Sequence, residues 1–281
     1  MRTSGSSCWE RASAAGALFY HPRIAESIID QIWRNDMKDI PYEDLIEAAA
    51  GCRILHAEGH ADMTLGHLSL RDPQDRGVWM KRSGIGLGEV DGPEDFVLID
   101  FDGRRVAGEG RIHKEWPIHT EVLRARPDVN AVGHSHPFYA TLFSSMDVEL
   151  EAVTNEAAFL GNEVARFDET RGLIDTQELG ASLAAALGGT STLLLRNHGV
   201  LFAGATIPEA TLMGVFLERA CRSQMELLKT HQRYVATPRS ELAAKREQIL
   251  DPNLVENFWS FYKRKADGLR RRSAEGQTFP G

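Results

Sequence analysis

The chain has 281 residues and a mass of 31.2 kDa, enough for one large domain or two small ones with a core that needs no staples. Hydrophobic residues at 42% and charged residues at 26% are ordinary globular values, which excludes a disordered tail protein, a collagen and a membrane bundle. With 40 acidic against 32 basic residues and a formal charge of -8, the chain is poorly suited to generic nucleic-acid binding, which needs clustered Lys and Arg.

Residues 1–23 lack clean periodicity and read as an N-terminal arm. The apolar run at 14–20 is short and follows Glu10 and Arg11, so no secretory leader is expected. No apolar run approaches the length of a membrane span. Cys8, Cys52 and Cys221 are too sparse for a disulfide scaffold or a zinc ribbon. A cytoplasmic location is the resulting expectation.

A short amphipathic helix is predicted over 24–33, with Ile24, Ile28, Ile29 and Ile32 on one side. Pro41 opens a second helix that stops at Gly59. Strand-like runs follow at 68–70, 78–80 and 96–99, separated by turn residues such as Asp72-Pro73 and Asp102-Gly103. An antiparallel meander is the simple account. A helix is predicted over 115–126 and a strand over 129–132. A helix capped by Asp175 runs to 187, and strands at 193–195 and 200–202 follow. Thr206 and Glu209 form a capping box before the longest helix, 207–230. The last helix, 254–265, carries Phe258, Trp259, Phe261 and Tyr262, which need a surface to dock on. Residues 266–281 read as a basic, flexible tail. Without repeats or linkers, 24–265 reads as one domain with a mixed or antiparallel sheet covered by helices.

The strongest chemical signal is His134-Ser135-His136. On a strand, residues i and i+2 point the same way, so two imidazoles face one site, as a metal requires, although a packed polar pair has the same spacing. His198, at another strand end before Gly199, is a candidate third ligand. Glu115 could be a fourth ligand or an acid/base, or simply a first-turn helix acid. His119, one turn on, reads as a packing or supporting residue. His113 and Lys114 are either a solvated edge or the lip of an anion site. His67, Ser69 and Arg71 alternate on one strand, and His67 or Arg71 could hold a carboxylate or phosphate. The run 83–88 is neither a dinucleotide fingerprint nor a Walker loop. His21, His56, His60 and His231 show no partner in the sequence.

The ordered set Glu115-Trp116-Pro117-Ile118-His119, Arg126-Pro127-Asp128-Val129, Gly133-His134-Ser135-His136-Pro137 and Asn197-His198-Gly199 resembles the class II aldolase/adducin family over about residues 40–235. The resemblance implies an α/β fold: a central, mainly antiparallel sheet flanked by helices on both sides. It implies a homotetramer with sites at subunit interfaces. It also implies one divalent metal ion per subunit on His134, His136 and His198, with Glu115 as the acid/base or as an extra ligand in the resting site.

Departures from the family pattern narrow the substrate. Gly66-His67 stands where sugar-phosphate members usually carry Gly-Asn. His113 and Lys114 replace small hydroxylated residues, while Ser83-Gly84 survives. Longer, ionisable groups thus replace part of a phosphate cradle and suit a flat substrate carrying carboxylates. The pattern resembles the branch that decarboxylates hydroxylated aromatic or pyridine dicarboxylates at a carboxylate ortho to a ring hydroxyl. The metal there is manganese, zinc, iron or cobalt, and the ligand set does not choose among them. His67, Arg71, Ser83, Gly84, His113 and Lys114 are the expected substrate contacts. A sugar-phosphate aldolase or epimerase, an iron-dependent oxygenase and a non-enzymatic adducin-like scaffold are the alternatives.

Overall fold

The computed structural model describes residues 40–161, 164–249 and 251–274. The predicted N-terminal arm and the helix at 24–33 lie outside them. A unit boundary falls at Tyr42, and the elements around the site belong to the unit Glu43–Gly281.

Helix α1, Tyr42–Leu55, buries Leu45, Ala49, Cys52 and Ile54 and ends in a π-helical turn, His56–His60. Gly59 at φ 90° lets the chain leave that turn. Strands β1 (His67–Arg71), β2 (Val78–Lys81), β3 (Phe96–Ile99) and β4 (Arg105–Ala107) form the expected antiparallel meander. β4 was not legible as a strand: its burial is low at an edge, and no alternation marks it.

Helix α2, Trp116–Ala125, leads to β5, Ala131–Ser135. β5 runs past the predicted 129–132, so His134 and Ser135 lie within the sheet. Short helices α3 (Phe138–Ser144) and α4 (Asn155–Phe159) and strand β6 (Ala165–Phe167) follow. Helix α5, Gln177–Leu187, is capped by Thr176, whose hydroxyl accepts from Leu179 N. Asp175, the predicted cap, stands one residue too early for that bond. Strands β7 (Thr192–Leu195) and β8 (Gly199–Gly204) precede the long helix α6, Ile207–Lys229, capped by Thr206 as predicted. Helix α7, Arg239–Ile249, was not foreseen, because only Leu242 along it is buried.

Helix α8, Pro252–Ala274, runs past the predicted end at residue 265. Part of the supposed tail is therefore helical. Ala266 extends the buried stripe of Trp259 and Tyr262, Lys265 pairs with Glu58, and Arg270 pairs with Asp91.

The sheet order is β4-β3-β2-β1-β5-β8-β7-β6, antiparallel throughout except between β6 and β7. This is the α/β architecture expected, with helices on both faces. On one face, Ile118 and Val122 of α2 and Leu183 and Leu187 of α5 pack with Val132, Leu195 and Leu201 of the sheet. On the other, Phe202 lies against Gly133 and against Gly214 of α6. Neither glycine has room there for a Cβ: a Cβ on Gly133 would stand 1.9 Å from the Phe202 ring. Burial of these two apolar layers is the main driving force for the fold.

Candidate metal centre

The site forms where β1, β5 and the β7–β8 turn meet the start of α2. In the antiparallel β1–β5 pair, His67 stands directly opposite His134. His136 follows the last residue of β5. His198 sits in the tight β7–β8 turn, where its N–H donates to Leu195 O at 3.1 Å and Asn197 adopts φ 57°. Gly199 permits that turn to approach closely: a Cβ there would lie 2.5 Å from His136 Cδ2. Pro117 near the first turn of α2 leaves Glu115 at the helix N-cap position.

One ligand atom each from Glu115, His134, His136 and His198 lies within 4.8 Å of all the others. His134 Nε2 and His136 Nε2 are 3.0 Å apart. Glu115 stands 3.6 Å from His134 Nε2 and 3.4 Å from His198 Nε2. Two atoms each about 2.1 Å from one ion would be roughly 3.0–3.4 Å apart, so the spacing suits a divalent ion. The donor chemistry fits as well. Burial holds the pKa of His134 well below the usual histidine range, so the ring stays neutral and one of its nitrogens carries a lone pair for ligation. His136 donates from Nδ1 to the Asp62 carboxylate at 2.9 Å, which leaves its Nε2 bare towards the cluster. Burial alone would raise the Glu115 pKa. His134, His198 and the Ile174 N–H, which donates to Oε1 at 2.9 Å, instead bring it down to about 2.

A second histidine group packs against the first. The His67 ring is 5.1 Å from His134, 4.8 Å from His119 and 4.4 Å from His113, centroid to centroid. Ser69 Oγ–H donates to Val132 O at 3.3 Å and accepts from His119 Nδ1 at 2.6 Å. Neutral His119 then accepts at Nε2 from His67 Nδ1–H at 2.6 Å, which leaves the His67 Nε2 lone pair unengaged. Burial brings His119 to about 3 and His113 to about 4, with His113 the next cause for the former and Lys81 for the latter. His113 Nε2 in turn lies 3.5 Å from the buried Lys81 ammonium.

The expected substrate contacts divide. His67 and His113 join the site. Ser83 stands beside the 111–115 segment, its N–H donating to Arg111 O at 2.7 Å, and Gly84 follows at φ 92° in an exposed loop. Lys114 is exposed and makes no hydrogen bond to the cluster. Arg71 is not brought to the site. It is at the far end of β1, where its guanidinium donates to Leu123 O, Arg126 O and Val129 O and to Asn130 Oδ1. It closes the C-terminal end of α2, where free carbonyls need donors.

Three supporting residues escaped the sequence reading. Asp62 left no signal, since an acid in a polar loop is unremarkable. His60, which showed no partner, has Nδ1 2.8 Å from Ser135 Oγ. Lys81 was detectable: it is a cation ending the apolar run Val78-Trp79-Met80.

The profile of the Class II Aldolase and Adducin N-terminal domain matches residues 46–225. A 3,4-dihydroxyphthalate decarboxylase of Arthrobacter keyseri is 28% identical over 216 residues, 69% of this chain and 83% of that protein. An L-fuculose phosphate aldolase of Methanococcus vannielii is 30% identical over 179 residues, 64% of this chain and 94% of that protein. Among solved structures, the L-fuculose 1-phosphate aldolase from Glaciozyma antarctica PI12 matches with a TM-score of 0.70 at 25% identity. That match covers 81% of this chain and 90% of the other. No helix among the described residues is long and apolar enough to cross a membrane.

Proposed function

The chain belongs to the class II aldolase and adducin family, and from that premise we propose that it is a divalent-metal-dependent decarboxylase of a hydroxylated aromatic or pyridine dicarboxylate. The observation that carries this reading is the pair His67 and His113 packed at a tilt beside His134, with Lys81 behind them. Flat rings line the position next to the candidate ligands, and a buried cation stands behind them. A planar acid suits such walls through ring contacts and charge-assisted hydrogen bonds.

His134, His136 and His198 would hold the ion, which would supply Lewis-acid stabilisation of the ionised ring hydroxyl. Glu115, a carboxylate at rest, takes the hydroxyl proton on its carboxylate and delivers it to the ring carbon bearing the neighbouring carboxylate. The bond to that carboxylate breaks and carbon dioxide leaves. Its electron pair restores the aromatic ring while the keto oxygen becomes anionic. His67 and His113 orient the substrate, with the Ser83-Gly84 loop alongside. The same reading carries a homotetramer with sites at subunit interfaces, for which the 68% exposed Phe138, two residues after His136, offers a contact.

The test is mass-spectrometric product analysis of metal-loaded protein kept free of oxygen. Its panel holds ortho-hydroxy ring diacids, fuculose phosphate and ribulose phosphate. Loss of one carbon dioxide from a ring diacid is the expected result. A second reading, retro-aldol cleavage of a sugar phosphate, rests on the retained Ser83-Gly84 and on the fuculose phosphate aldolase relatives. Turnover of a sugar phosphate with the ring acids untouched would replace the first reading with the second.

A further inference from the structure

Lys81 is the last residue of β2 and has no solvent exposure. Its neighbour Arg82 is paired with Asp95 at 3.0 Å; no carboxylate stands within ion-pair distance of Lys81 among the described residues, and Asp95 and Glu89 favour its charge only from further away. Its ammonium, with three donors, has one long bond to Arg82 O at 3.3 Å and the His113 Nε2 contact at 3.5 Å. Fully buried lysines are rare without a partner, because stripping water from the charge is costly unless an anion replaces it. Fold stability does not explain such a residue, since a methionine would fill the same space without a charge. The residue lies in line with the site: Lys81 touches His113, the His113 ring packs at a tilt against His67, and His67 packs at a tilt against His134.

We infer that Lys81, with His113, is the seat for an oxyanionic group of the substrate that stands away from the metal. For a ring diacid this is the carboxylate that is retained. The four-carbon stem of lysine lets the ammonium turn from Arg82 O to a ligand. The identity of the anion rests on the decarboxylase reading, whereas the existence of the seat does not. Lys81 is thereby a specificity-determining residue, separating substrates with a second anionic group from those without one.

The test is calorimetric titration of the full-length, manganese-loaded protein and of Lys81→Met with three unreactive probes: phthalate, benzoate and inorganic phosphate. Phthalate affinity should fall between about tenfold and about a hundredfold in Lys81→Met, the scale of one charge-assisted hydrogen bond. Benzoate affinity, manganese content and melting temperature should not fall. Lys81→Arg should retain part of the phthalate affinity and provides a second variant if Lys81→Met is insoluble. A Lys81-dependent affinity for phosphate but not phthalate would keep the seat and remove the ring-diacid reading. Unchanged phthalate and phosphate binding in Lys81→Met, equal loss of benzoate, or no anion binding by the wild type would overturn the inference.

Discussion

Asp62 accepts a hydrogen bond from His136 Nδ1 at 2.9 Å across 74 residues of chain. This bond selects the tautomer that turns the His136 Nε2 lone pair towards Glu115, His134 and His198. Asp62→Asn removes the charge and, with its amide nitrogen turned inward, opposes the donor. Metal affinity should fall by about 10- to 100-fold, read by competition with a chelating indicator. An unchanged affinity would show that His136 is held by packing alone.

Glu115→Gln preserves shape but not proton transfer. The variant should retain metal through the three histidines, measured by elemental analysis, and lose about 10²- to 10⁴-fold in kcat. Full activity would remove Glu115 from the acid/base role.

Gly199→Ala tests the approach of two loops. The new methyl would meet His136 Cδ2 at 2.5 Å and Ser135 O at 2.6 Å, so the His136 ring or the turn must move. Metal affinity and activity should both drop by at least about tenfold, since displacements near 1 Å at a reacting centre have effects of this size or larger. Retained affinity would mean that the turn relaxes without disturbing the ligand.

Arg71→Met separates structure from recognition. Loss of donors to Leu123 O, Arg126 O and Val129 O should destabilise the fold by about 1–3 kcal/mol in urea titrations. KM for the turned-over substrate should not change. A raised KM at unchanged stability would return Arg71 to the substrate site.

The protein should lose stability in mild acid. Burial holds His60 and His119 at about 3 in the folded state, against 6.5 when free. The unfolded chain therefore binds more protons between these values. The stabilisation is fully present above pH 6.5 and falls as the pH drops, by up to about 1.4 kcal/mol per pH unit for each proton. Denaturant midpoints of chelator-treated protein, taken from pH 7 to pH 4.5, should fall steadily. A flat profile would contradict the burial of these rings.

By itself, the sequence determined the parts whose information is local. The short apolar runs of β1, β2 and β3 between turn residues, the Thr206 cap and the i, i+2 spacing of His134 and His136 are properties of short segments. The family motifs also tied Glu115 and His198 to that pair. Only the tertiary structure decided which side chains share space. It sent Arg71 to the end of α2 although His67, four residues earlier on the same strand, faces His134. It also brought Asp62, Lys81 and the Ser69–His119–His67 chain to the cluster. The reason is physical. A hydrogen bond or buried charge is set by strand register and helix docking across tens of residues, and those are fixed by burial of the whole core rather than by neighbours in the chain.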